Sequence, residues 1–129
     1  MLSEEQRKDK IMLDLNDSIE LNNLGIRENQ VRLDYSQAMN TATNIENIAK
    51  RIRAQMKGEF DGVINGIHLA WEGENADRFC NKCNTTSSTV DKTVSDLLIV
   101  ADKIQIMAKN TLDAELKAID VARDRIYNK

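Results

Sequence analysis

Ala70-Trp71-Glu72-Gly73-Glu74-Asn75 is the stretch that decides the fold. It holds the single tryptophan of a chain with no proline. Helical spacing of apolar residues runs for a long way on either side and lapses here. Helix is the default elsewhere, because nothing of the proline kind interrupts it. A glycine beside a tryptophan at such a lapse suits a reversal, since glycine opens backbone conformations closed to other residues. The expectation is an all-α chain: a long antiparallel helical hairpin, with a first arm over about 4–69, a turn over 70–75 and a second arm over about 76–127.

The first arm opens on Ser3 with Gln6 three residues on, the pattern of a capping box, and Glu4 and Glu5 suit the positive end of a helix. An apolar stripe then runs through Ile11, Leu15, Ile19, Ile26 and Leu33, and tightens at Ala42, Ile45, Ile48, Ile52, Met56, Phe60, Val63 and Ile67. Gly25 marks a weak point that permits a bend or a break. Gly58, Gly62 and Gly66 recur every fourth residue, either as a softened helix end or as a smooth strip for a close-lying backbone. After Gly73, Glu74 or Asn75 can cap a second helix. Its stripe is Phe79, Cys83, Thr86, Val90, Val94, Leu97, Ala101, Ile104, Ala108, Leu112, Ile119, Ala122 and Ile126, close to a heptad repeat in the middle. The hydroxyl run Thr85–Thr89 is poor helix material, yet the helix is expected to continue through it.

Two surpluses follow from this geometry. At 1.5 Å per residue the arms are roughly 100 and 80 Å long, so Ile126 falls near Ser18 and the residues before it have no counterpart. Ile11 and Leu15 lie in that overhang. Around residues 97–107 the apolar band is also wider than one seam needs, with Ile99 and Ile106 added to Leu97 and Ile104. Exposed apolar surface of that kind marks an interface. Leu97, Ile99, Ile104, Ile106, Ile11 and Leu15 are therefore the expected partner-binding residues, and a partner can complete the hairpin to a four-helix bundle.

Composition narrows the function. At 129 residues the chain reads as a single helical-hairpin domain over 1–129. A net charge of −3 disfavours nucleic acid, whose binding rests on phosphate neutralisation. The longest apolar run, Leu97–Ala101, is far short of a membrane span. No apolar core follows the basic residues near the start, so a cleaved signal peptide is not expected.

Enzyme chemistry finds little purchase. Cys80-Asn81-Lys82-Cys83 has the spacing of redox and zinc motifs, but zinc needs four ligands, and only His68 and Asp77 are nearby candidates. Two small residues near a helix start is the plainer reading. No catalytic triad or phosphate loop can be assembled. Lys50, Arg53 and Lys57 share a basic helix face, either solvated or aimed at an acidic partner. Asp113, Glu115, Asp120 and Asp124 interleave with Lys117, Arg123 and Arg125 as on an ordinary exposed helix. No enzyme and no cofactor is expected.

Ala70-Trp71-Glu72-Gly73-Glu74-Asn75-Ala76-Asp77-Arg78-Phe79 resembles the signature of the WXG-type small helical proteins of the bacterial type VII secretion system. In that family a Trp-x-Gly turn joins two antiparallel helices, and a small residue (here Ala76) and an apolar one (here Phe79) commonly follow. The resemblance implies that Trp71, Gly73 and Phe79 form the turn motif. It implies a location in the bacterial cytoplasm and then secretion without a cleaved signal peptide. It also implies a protein partner: the helical domain of a secreted toxin or a sister WXG-type protein, with the secretion ATPase, or a second copy as a homodimer. One feature departs from the pattern. The family's Tyr-x-x-x-Asp/Glu export signal is not found, since only Asn128 and Lys129 follow Tyr127. The accessory branch, which helps a larger effector leave the cell, fits that departure. The rival reading is a cytosolic coiled-coil adaptor or structural protein in which Trp71 is only a turn residue.

Overall fold

The computed structural model describes residues 3–128, with the side chains of 8–13 excepted. Two helices account for nearly all of it: α1 over Glu4–Ala70 and α2 over Glu74–Tyr127. The capping box forms as its residue types suggest. The Ser3 backbone N–H donates to Gln6 Oε1 at 2.9 Å, and the Gln6 N–H donates to Ser3 Oγ at 3.2 Å. Neither Gly25 nor Gly58, Gly62 and Gly66 interrupts α1. A methyl added at any of the four would meet nothing within 4 Å, so in this chain no backbone lies close to the glycine strip.

The break between the helices is tighter than the expected 70–75. Trp71 N–H still donates to the Ile67 carbonyl at 2.8 Å, which prolongs helical bonding to the end of α1. The Gly73 carbonyl accepts from Asp77 N–H at 3.1 Å, so Gly73, not Asn75 or Glu74, stands in the cap position of α2. Its φ of 113° is the only positive φ in the chain's described residues, and a side chain there would be strained. Glu74 and Asp77 then supply negative charge to the first turn of α2. The helix continues through the hydroxyl run, where threonines one turn apart return their hydroxyls to its own carbonyls. Thr85, Thr89 and Thr93 donate to the carbonyls of Asn81, Thr85 and Thr89, each at 3.0 Å.

The chain divides into two compact units. One is Met39–Gln105, which holds the turn. Its buried residues are small: Ala42, Ala49, Ala76, Cys80, Val94 and Ala101. The inward positions of α1 repeat every seven residues through Ala42, Ala49 and Met56, with Ile45 and Ile52 between them. Ile48 and Val63, expected on this stripe, are about half exposed. On α2 the inward places fall to Cys80 and Ser87, while Phe79 and Thr86 lie exposed one position earlier. The reason is geometric. A seam between two helices takes two positions per heptad, and alanines there let the axes approach. A large residue one step off the seam is left at its edge.

The other unit joins Met1–Ala38 to Ile106–Lys129. Ile119 is its fully buried anchor. In α1 the less exposed positions include Leu21, Leu24, Glu28, Val31, Tyr35 and Ala38, again two per heptad, with Asp17 one heptad before Leu24 and Gly25 beside it. Ile19, Ile26 and Leu33 were expected on the seam and are not: they are 59%, 60% and 51% exposed. Two apolar series run through this arm with the same seven-residue spacing. The one with two members per heptad makes the seam, and the one with a single member per heptad is left on the opposite side. Ile126 lies in a shallow hollow with Glu20, Asn23 and Leu24, close to the expected level of Ser18. Ile11, with Met12 and Leu13, lies outside the residues whose side chains are described.

Two glycine substitutions should move stability in opposite directions. Gly73→Ala places a side chain at a positive φ and is expected to cost about 1–3 kcal/mol. Gly62→Ala replaces glycine in an open helix interior and is expected to add about 0.5–1 kcal/mol. Urea titration followed by circular dichroism measures both. A Gly73→Ala chain as stable as the parent would refute the assignment of strain to the turn.

Candidate functional site

Each unit has residues that it leaves uncovered and residues that set its register. Near the turn, Ala76 and Cys80 are buried, while Trp71 and Phe79 are 47% and 46% exposed. The indole is thus half covered and half open. Leu69, almost wholly exposed, adds apolar surface just before it. His68 is exposed at the end of α1 and makes no side-chain bond in the described set. Cys80 and Cys83 are both free thiols, one buried and one half-buried. Among the described residues they join no group of three metal-binding side chains.

The expected partner-binding residues divide by environment. In the Met39–Gln105 unit, Leu97 and Ile104 are half-buried seam residues, while Ile99 and the neighbouring Val100 are about half exposed. In the other unit, Ile106 is about half exposed and Met107 more so. Leu15 is also exposed there. Within α2, then, it is Ile99 and Ile106 that present free apolar surface, and Leu97 and Ile104 serve the seam.

Charged residues contribute what periodicity passed over. Arg53 does not belong to a free basic face. It crosses to α2, where Nε bonds Asp91 at 2.8 Å and Nη2 bonds Ser95 at 2.8 Å. Lys50 is tied one turn back to Glu46 at 2.8 Å. In the other unit, Arg27 bonds Glu115 at 2.6 Å and Arg123 bonds Glu28 at 2.6 Å. Glu28 also receives Arg32, one turn on, at 3.1 Å. Glu115 and Arg123 are therefore cross-helix partners and not ordinary members of an exposed charge pattern. Exposed ion pairs add little to stability, but pairs that fit in one alignment only discriminate against sliding of one helix along the other.

Glu28 occupies a seam position in series with Leu21 and Tyr35. Hydrogen bonding from Arg123, and then from Arg32, holds its carboxyl below the usual glutamate range, with partial burial acting the other way. The same bond, donated by Arg123 and accepted by Glu28, raises the Arg123 guanidinium in turn. A carboxyl with a lowered folded value contributes stability that is complete above its unfolded value and is lost as pH falls through the folded one.

No helix among the described residues is long and apolar enough to cross a membrane. Comparison with protein-family models, with curated proteins and with solved structures finds no match to this chain.

Acidification below the ordinary glutamate range should therefore loosen the pairing of α1 with the end of α2. Glu28→Gln removes the charge, and the variant is expected to be less stable than the parent at neutral pH and less sensitive to acid. Urea midpoints across pH 3–7 test this. Parallel pH profiles for parent and variant would rule out Glu28 as the titrating group.

Proposed function

We propose that this chain is a non-enzymatic helical interaction protein of bacterial type VII secretion: a substrate or targeting partner that binds a larger secreted effector or a sister protein and supports its export. The observation that carries the reading is the turn. A Trp-x-Gly break joins two long helices, its glycine is in a conformation that excludes other residues, and its indole is left half open. This is the residue arrangement the WXG-type resemblance calls for. The exposed Ile99 and, separately, Ile106 are further support, because neither apolar side chain is needed by its own unit's seam.

In this mechanism the chain contributes rigid apolar stripes, and the partner's helices cover them to complete a four-helix bundle. Burial of apolar surface drives association at about 25 cal/mol per Å² removed from water, less the cost of immobilising both chains. The export machinery then recognises the composite.

The test is export from a host with an intact system, with and without the secretion ATPase. Trp71→Ala should reduce export and partner recovery several-fold, while helix content measured by circular dichroism stays near that of the parent. Transfer that continues at the same level without the ATPase would sink the proposal. Loss of stability with no selective loss of export would favour the adaptor reading.

A further inference from the structure

The side of α1 that faces away from α2 has a composition unlike a solvated helix face. Charged residues make up 30% of the chain. Yet between Leu15 and Gln37 the positions directly opposite the seam hold none, and the exposed carboxylates Glu20 and Asp34 stand at the edge of that face. Ile19, Ile26 and Leu33 run along the centre line, exposed, at intervals of seven. Neutral amides flank them: Asn22, Asn23, Asn29 and Gln30, all exposed. Nearby cations are turned to the other side, Arg27 to Glu115 and Arg32 to Glu28. A helix face meant only for water favours Lys and Glu, which are better helix formers than Asn. Repeated asparagine around an isoleucine line spends helix propensity on something other than solubility.

The order of these residues indicates what covers them. Read outward from Ile26, the pattern is nearly the same in both directions. Asn23 and Asn29 stand three residues away on either side, Asn22 and Gln30 four, and Ile19 and Leu33 seven. We infer that this face binds a second copy of the chain, with the two α1 helices antiparallel and a twofold axis at Ile26. That arrangement sets Ile26 level with Ile26 of the copy, Ile19 with Leu33, and amide with amide. An amide both donates and accepts, so it can bond its own kind, which a carboxylate or an ammonium cannot. The absence of charge on the isoleucine line and its amide flanks removes the repulsion that two identical faces would otherwise meet along their centre. A shift of half a turn would set the isoleucines against asparagines, so one register is favoured. The paired length is roughly 33 Å, enough for about three heptads.

Gln30 already donates to Asp34 at 2.8 Å within α1. Its carbonyl oxygen is the atom offered to the copy. This face includes none of Ile99, Ile106 and Trp71, and the inference does not rest on the secretion reading. A dimer can form whether or not the chain is exported.

The test uses the full chain with Cys80→Ser and Cys83→Ser, so that introduced thiols are the only ones. Sedimentation over micromolar to submillimolar concentration should show a monomer–dimer equilibrium. Ile26→Asp should weaken it by about tenfold or more, because two carboxylates would meet at the axis. Ile106→Asp should leave it unchanged. Both sites are exposed, so both variants should keep the parent's helix content, measured in parallel. On mild oxidation Ile26→Cys should cross-link to itself. Ile19→Cys should cross-link to Leu33→Cys but not to itself. A chain that stays monomeric over the whole range overturns the inference. So does a dimer indifferent to Ile26→Asp, and so does an Ile19→Cys chain that cross-links to itself as readily as Ile26→Cys. Capture of a foreign helical domain by this face with no self-association would overturn it too.

Discussion

Two helices lying side by side can hide only one stripe of each other. Almost everything about this chain follows from that limit. The fully buried residues are few and mostly small, with Ile119 and Val94 the largest. Alanines at the seam bring the helices close, and closeness narrows the strip that is shielded. The remaining apolar residues have nowhere to go within the chain. Ile99, Ile106 and the line at Ile19 are exposed because the architecture runs out of inside, and not because the pattern is irregular.

Narrow burial also leaves alignment weakly determined by shape. A stripe of alanine and isoleucine repeated every seven residues looks much the same after a slide of one heptad. Polar contacts distinguish the registers. Arg53 finds Asp91 and Ser95 only at one level, and Glu28 finds Arg123 only at one level. Each unit thus carries its own polar tie between α1 and α2. The contribution is to uniqueness more than to strength, as expected for charges still partly in water.

The sequence was informative in proportion to how local each feature is. The break at Trp71–Gly73, the Ser3–Gln6 cap and the continuity of helix through Thr85–Thr89 depend on neighbours in the chain, and all are present. The middle of the α2 stripe was also legible, because Val94, Leu97, Ala101 and Ile104 leave little choice of face. The phase of α1 was not. Ile19, Ile26 and Leu33 form as regular a series as Leu21, Glu28 and Tyr35, and size and hydrophobicity favour the wrong one. Periodicity finds stripes but does not say which is covered. The signal that separates them is density: the covered series has a companion at Leu24 and Val31, and the free one does not. Glu28 was obscured for a related reason, since a carboxylate in a seam series looks like an interruption until its cross-helix arginine is known.

The threonines of α2 carry a last consequence. Thr85, Thr89 and Thr93 stand one turn apart on an exposed side, and each hydroxyl proton is already given to a carbonyl of its own helix. A bonded hydroxyl fixes the side-chain rotamer and with it the direction of the γ-methyl. The tract that reads as the most hydrophilic part of the helix therefore displays a row of immobilised methyl groups. Its hydration is poorer, and its entropy cost on contact lower, than its letters suggest.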